Sequence, residues 1–356
     1  MWTESNMSSA HQQLSPLIAE ENFQALDTAI QQLGLNFVIG NSFIDYCSLK
    51  HDLAMVTFLT TLAAHNTPNV RLAELIRRHD DSLTFTIMEI GAVPLEGSPE
   101  PFHQLLELFP GSQILAFEVD KDLCTELNRE SKPGMKFFAT ALGRTEETRA
   151  FYETNHPMCC SLYEPNERLI RLYHNFEVAY LKSVGTIETV SLDYFVKKNN
   201  VESVDFIKID IQGAELDVFE GGSNVLNQII GMVCEVEFIP HYINQPLFGD
   251  VCAFLTNEDL MFHKFLGMAG RTLRPILVNN SANTATQHIW SDAIFIKDIL
   301  KISELSPQKL LKLAMLAYIY RSPDLTYYCF EHYDKLKGSD IKGQFLSYTE
   351  GAKSAQ

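Results

Sequence analysis

Several acids, one lysine and one histidine are spaced so that they could serve one reaction. Lys208 and Asp210 lie in Val204-Asp205-Phe206-Ile207-Lys208-Ile209-Asp210-Ile211-Gln212-Gly213-Ala214-Glu215. Glu237 and His241 close the stretch Cys234-Glu235-Val236-Glu237-Phe238-Ile239-Pro240-His241. A hydroxyl that is to become a nucleophile must lose its proton to a base or to a metal that acidifies it. His241 is the candidate base, which predicts activity rising through a pKa near 6.5. Asp210 with Glu237 could hold Mg²⁺, which takes carboxylates and waters. The structural alternatives are Glu237 paired with Lys208 or Arg271, and Asp210 as a solvated acid capping a helix. Lys208 speaks against the capping alternative, because a lysine inside a buried strand needs a partner. His156, in Asn155-His156-Pro157, is a further candidate base. Cys159-Cys160 has no basic or metal-ligating neighbour and reads as structural.

These residues need strands to place them. The apolar run Val204, Phe206, Ile207 and Ile209 reads as a fully buried strand of a parallel sheet. Gly213 permits a tight turn after it, and a helix from Glu215 to Glu220 stops at Gly221-Gly222. Asp210 therefore stands where the strand runs out, and ligands of open α/β sheets bind at such ends. Further strands are expected at 83–90, 113–120, 135–139, 149–153, 186–190, 229–238, 261–266 and 291–296. Helices are expected at 102–109, 121–130, near Glu167 to Leu181, at 192–198 and at 248–258. The alternation predicts an α/β, doubly wound, mostly parallel sheet.

Glu89 and Glu118 end two of these strands about one βαβ half-unit apart, a layout suited to a nucleoside whose ribose hydroxyls bond Glu118. A dinucleotide needs Gly-x-Gly-x-x-Gly for its pyrophosphate. The turn here is Gly91-Ala92-Val93-Pro94-Leu95-Glu96-Gly97, with a proline and with an acid where a phosphate would lie. That disfavours a nicotinamide dehydrogenase. S-Adenosylmethionine has no phosphate and carries a sulfonium cation, so it tolerates one glycine and nearby acids.

The chain has 356 residues and a net charge of −17. Such acidity argues against nucleic-acid backbones and anionic membranes as partners. No apolar run reaches a membrane-spanning length, and the seven scattered cysteines suit a reduced, cytoplasmic protein. The polar start lacks signal-peptide character. Residues 1–82 read as a helical N-terminal extension, with segments around Phe23 to Leu33, Leu49 to Ala64 and Val70 to His79, forming a cap or a homodimer surface. Residues 298–356 read as a helical C-terminal extension whose tail from Gly338 is polar and expected to be loose.

The central motif, with Glu118-Val119-Asp120, Ala141-Leu142-Gly143 and Glu235-Val236-Glu237 in order, resembles the FkbM family of S-adenosylmethionine-dependent methyltransferases over 83–297. The family usually has Glu in place of Gln212 and a second small residue in the first glycine loop. The resemblance implies a methyltransferase domain at 83–297 built on a seven-stranded, Rossmann-like sheet; the irregular stretch 154–183 within it is long enough to be a lid-like insertion. It implies O-methylation of a sugar or secondary-metabolite hydroxyl. The cofactor contacts expected are Glu89, Gly91, Ala92, Glu118, Val119, Ala141 and Asp210. The catalytic set expected is His241, Asp210, Glu237 and Lys208. The alternatives are an inactive binding module of the same fold and, behind it, the dehydrogenase.

Overall fold

In the computed structural model, residues 68–92, 99–284 and 286–353 are described. The helices expected before Pro68, and Val93 to Gly97 of the first glycine turn, lie outside these residues. The chain divides into two compact units, 82–336 and 1–81 with 337–356.

The larger unit is built on an α/β sheet. Its strands are β1 Thr86–Ile90, β2 Gln113–Glu118, β3 Met135–Ala139, β7 Phe206–Ile209, β8 Gly231–Glu237, β9 Leu260–Phe265 and β11 Gln287–Lys297. They lie in the order β3-β2-β1-β7-β8-β11-β9, and the three-residue β10 Ala269–Arg271 also pairs with β11. β3, β2, β1, β7 and β8 are parallel, and β11 runs antiparallel between β8 and β9. β7 is buried along its whole length, as its apolar run predicts for a central parallel strand. The chain leaves β1 towards β2 and β3, then returns to β7 on the other side of β1. The switch point therefore falls between β1 and β7, where open sheets bind ligands.

A second sheet, ordered β4-β6-β5, holds β4 Ala141–Gly143, β5 Glu147–Thr154 and β6 Leu181–Ser191. β5 and β6 form a long hairpin, and the residues between them make the insertion. The helix expected near Glu167 to Leu181 is only one turn, α4 Glu167–Ile170, followed by a 3₁₀ turn at Glu177–Ala179. Between the two, Asn175 takes a left-handed φ of 58°. Tyr173 and Phe176 turn inward there into a small core with Ile170, Ala179 and Ile289.

Local signals fix the main helices. α3 Lys121–Glu130 starts at Asp120, whose carboxylate accepts from the N–H groups of Asp122 and Leu123. α5 Leu192–Lys198 starts at Ser191, and α9 Pro307–Ile319 at Ser306 with Pro307 in the first turn; these are favoured N-terminal choices. α9 covers one face of the sheet, ending where Tyr320 stacks on Phe206 of β7 at 5.8 Å. Lys312 on α9 lies 2.8 Å from each carboxylate oxygen of Asp205, and Asp205 also accepts the Thr86 N–H.

In the smaller unit, α1 Pro68–His79 buries Leu72, Ala73, Leu75 and Ile76 along one face. The tail after Gly338, expected to be loose, instead forms the helix α11 Ile341–Lys353. Ile341 and Phe345, one turn apart, are both buried, so a single apolar stripe suffices to hold an otherwise polar segment.

Candidate active site

At the switch point the β1 and β7 ends touch. Gly91 has φ +84°, and any Cβ there would meet the Asp210 carbonyl oxygen at 1.9 Å. The N–H groups of Gly91 and Ala92 both bond the Phe117 carbonyl of β2. Glu118 ends β2 and is buried, with Oε1 accepting the Asp120 N–H at 2.8 Å. Val119 beside it is exposed, and Ala141 at the start of β4 is buried. Glu89 is buried, lies opposite Lys208 across the β1–β7 pair, and bonds His103 Nε2 at 2.7 Å. His103 was not anticipated. The signal available was only its place in the first helical turn after the glycine loop.

On β7, Lys208 Nζ lies 3.1 Å from Asp210 Oδ2 and 3.9 Å from Asp292 Oδ1. Burial opposes the lysine's charge, but Asp210, Asp292, Glu100 and Glu235 together raise its pKa above the ordinary value. Burial likewise opposes ionised Asp210, yet Lys208 and hydrogen bonds from Glu235 and Gln212 hold it below the ordinary carboxylate value. The pairing of Glu237 with Lys208, raised as an alternative from the sequence, is not the one formed: Lys208 meets Asp210.

The acid that meets Asp210 is Glu235. Gln212, at a left-handed φ of 59°, donates from Nε2 to Asp210 Oδ1 at 3.0 Å and to Glu235 Oε2 at 2.7 Å. Its Oε1 lies 2.9 Å from the Tyr242 hydroxyl, which is also 2.9 Å from the Cys159 carbonyl of the insertion. Burial, then the Asp210 charge, raises Glu235 well above the carboxylate range. Glu237, at 3% exposure, is raised by burial and by Glu215 and Asp210. Glu215 accepts the Ile211 N–H at 2.8 Å and is pushed up to about 7, chiefly by burial. One ionised aspartate thus sits among three glutamates that favour their protonated forms. Among the described residues no three His, Cys, Asp or Glu side chains are grouped as ligands for a metal ion.

His241 is buried against Phe176 and Trp290, with ring centroids 5.1 and 6.0 Å away. Burial, helped by the Arg271 charge, lowers its pKa to about 3. The expected activity limb near 6.5 therefore does not follow for this imidazole. It is neutral at any working pH, but its proton affinity is no greater than a carboxylate's. His156 accepts the Met158 N–H, and the Cys159 thiol is pushed up to about 11 by burial, which leaves it a poor nucleophile. The insertion is tied to the crevice at Ser161, which donates to the Gln212 carbonyl at 2.7 Å, and at Asn166, which donates to the His241 carbonyl at 2.7 Å.

The group chemistry suits a cationic nucleoside. Glu89, Glu118, Asp120 and Asp210 offer carboxylates at the ends of β1, β2 and β7. The cation at these strand ends, Lys208, is already neutralised by Asp210. A sulfonium and a ribose diol fit that set, and a pyrophosphate does not. Among the described residues no helix is long and apolar enough to cross a membrane.

The comparisons agree with this chemistry. The 2-O-methyltransferase NoeI of Sinorhizobium fredii (strain NBRC 101917 / NGR234) is 26% identical over 136 residues, covering 35% of this chain and 54% of that protein. The chain thus spans about half the length of the curated relative it matches. Residues 90–263 match the methyltransferase FkbM domain, a span running from the end of β1 into β9, and the chain accordingly carries a methyltransferase domain of the FkbM family.

Proposed function

We propose that this chain is an O-methyltransferase that uses S-adenosylmethionine to methylate a hydroxyl of a sugar or secondary metabolite. The observation that carries the reading is an ionised Asp210, held by Lys208 and Gln212, at the β1–β7 junction where a nucleoside ligand of this fold lies. Glu89, Gly91, Ala92, Glu118, Val119 and Ala141 line the donor side, with Glu118 accepting the ribose hydroxyls. Bound there, S-adenosylmethionine supplies an electrophilic methyl group on a positively charged sulfur.

Asp210 faces the acceptor hydroxyl and takes its proton. An alcohol oxygen becomes strongly acidic as it gains a carbon, so a weak base suffices if it is well placed. Glu235 and Glu237, kept protonated, avoid stacking negative charge around that base. His241 and Glu237 line the acceptor side. The 2-O-methyltransferase name of the relative supports oxygen as the methylated atom. Two measurements test the reading. Calorimetry should detect S-adenosylmethionine and S-adenosylhomocysteine but not NAD. Metabolite extracts treated with the protein and S-adenosylmethionine should gain a species heavier by one methyl group. Failure to bind either sulfur nucleoside would reject the proposal.

A further inference from the structure

The chain carries 45 acidic side chains against 28 lysines and arginines, so a partly buried arginine without an acid partner stands out. Arg271 on β10 is such a residue. Its guanidinium lies 4.7 Å from the Trp290 ring centre and 5.9 Å from that of Phe176, and donates from Nη1 to the Gly270 carbonyl. Among the described residues, its buried Nε has no hydrogen-bond partner, and no carboxylate pairs with it. His241 faces the same aromatic pair. It is 8% exposed, and its buried Nε2 also lacks a partner among the described residues.

A buried ring nitrogen and a buried guanidinium N–H left unmet are each costly, the charged group more so. Two of them around one aromatic pair mark a place that a ligand completes. The place adjoins the acids of the crevice: Trp290 pairs with Glu237 across β11 and β8, and His241 follows Glu237 by four residues. With His241 neutral, the pair offers one positive charge. That charge balances a monoanion; a phosphate dianion would leave one negative charge unbalanced in a partly buried place.

We propose that Arg271 and His241, backed by Phe176 and Trp290, form a subsite for a carboxylate, and that the acceptor is a hydroxylated ring bearing one. The carboxylate takes the Arg271 N–H groups and the His241 nitrogen in its donor tautomer, while the ring lies along the aromatic pair. Only the identification of this ligand as the methyl acceptor rests on the methyl-transfer reading.

The two tryptophans, Trp2 and Trp290, make a direct test practicable. In a Trp2→Phe background, Trp290 becomes the one tryptophan, excited selectively over the tyrosines at long wavelength. D-Glucuronate is expected to change its fluorescence saturably, and D-glucose to bind about tenfold more weakly or less, as loss of one charge-assisted hydrogen bond requires. Arg271→Leu should abolish the preference for glucuronate. Arg271→Lys, which keeps the charge but loses the fork, should weaken glucuronate about tenfold at an unchanged melting temperature; if the leucine variant does not fold, this one decides. Equal binding of glucuronate and glucose, an unaltered response in Arg271→Lys, or tighter binding of inorganic phosphate than of glucuronate would overturn the subsite. S-Adenosylhomocysteine binding, measured on the same proteins by calorimetry, should be unchanged by Arg271→Lys. Its absence in the wild type would sink the methyl-transfer reading alone and leave the glucuronate result standing.

Discussion

Lys208 and Asp210 point to the same side of β7 and meet there, Nζ 3.1 Å from Oδ2, the lysine side chain 9% exposed and the aspartate 31%. Lys208 in β7 and Asp210 just after it thereby neutralise each other at the carboxyl end of the strand. The pairing explains how a central buried strand tolerates a lysine, and it favours the ionised form of the aspartate.

Replacing Lys208 by Met should raise the Asp210 pKa, because its main charge partner is gone. In the wild type the folded pKa of Asp210 is depressed, so its contribution to stability is present above about pH 4 and lost as pH falls through the folded value. Lys208→Met should remove that contribution, costing about 3 kcal/mol at neutral pH in denaturant unfolding, since one charge is left without its partner. Methyl transfer should also acquire an acid limb at higher pH than in the wild type. A variant with unchanged stability and pH profile would show that the pair is incidental.

Glu118→Ala should weaken S-adenosylmethionine binding at least about tenfold, the worth of one hydrogen bond to a carboxylate. Isothermal titration reads this directly. The removed side chain also accepts the Asp120 N–H, so circular dichroism on the same sample should confirm that α3 is retained. An affinity equal to wild type would remove Glu118 from the donor site.

Glu215 offers a pH test with the opposite sign. Its folded pKa is raised to about 7, so the folded state binds a proton that the unfolded state releases. Stability should fall as pH rises from about 4.5 to 7, by up to about 3 kcal/mol from this group. Glu215→Gln keeps an oxygen for the Ile211 N–H and has no proton to lose. It should flatten that slope and unfold at higher urea concentration than wild type at pH 7.5. An identical pH dependence in the variant would mean that Glu215 ionises freely.

Asp205 joins β7, β1 and α9 through Lys312 and the Thr86 N–H. Asp205→Ala leaves a largely buried ammonium and a backbone donor unpaired, and should cost about 3–5 kcal/mol. Lys312→Met keeps the backbone bond and should cost less. Urea denaturation of the two variants gives the order, and equal costs would contradict the triple junction.

The alternation of strands and helices, the end of β7 at Asp210 and the bounds of α3 and α5 were legible in the sequence alone. Each depends on residues within one strand or turn: an apolar run such as Phe206 to Ile209, or a local stop such as the Gly213 turn. The family resemblance was legible for the same reason, since its motif is a strand, a glycine turn and a helix in continuous sequence. What the tertiary structure decided was the company each group keeps. Gln212 reaches Glu235 across 23 residues, Tyr242 reaches Cys159 across 83, and Arg271 meets Trp290 and Phe176 from separate elements. Protonation follows from that company. Desolvation and nearby charge make Asp210 an anion, Glu235 an acid and His241 a neutral imidazole, and neither quantity exists until distant segments close over the site.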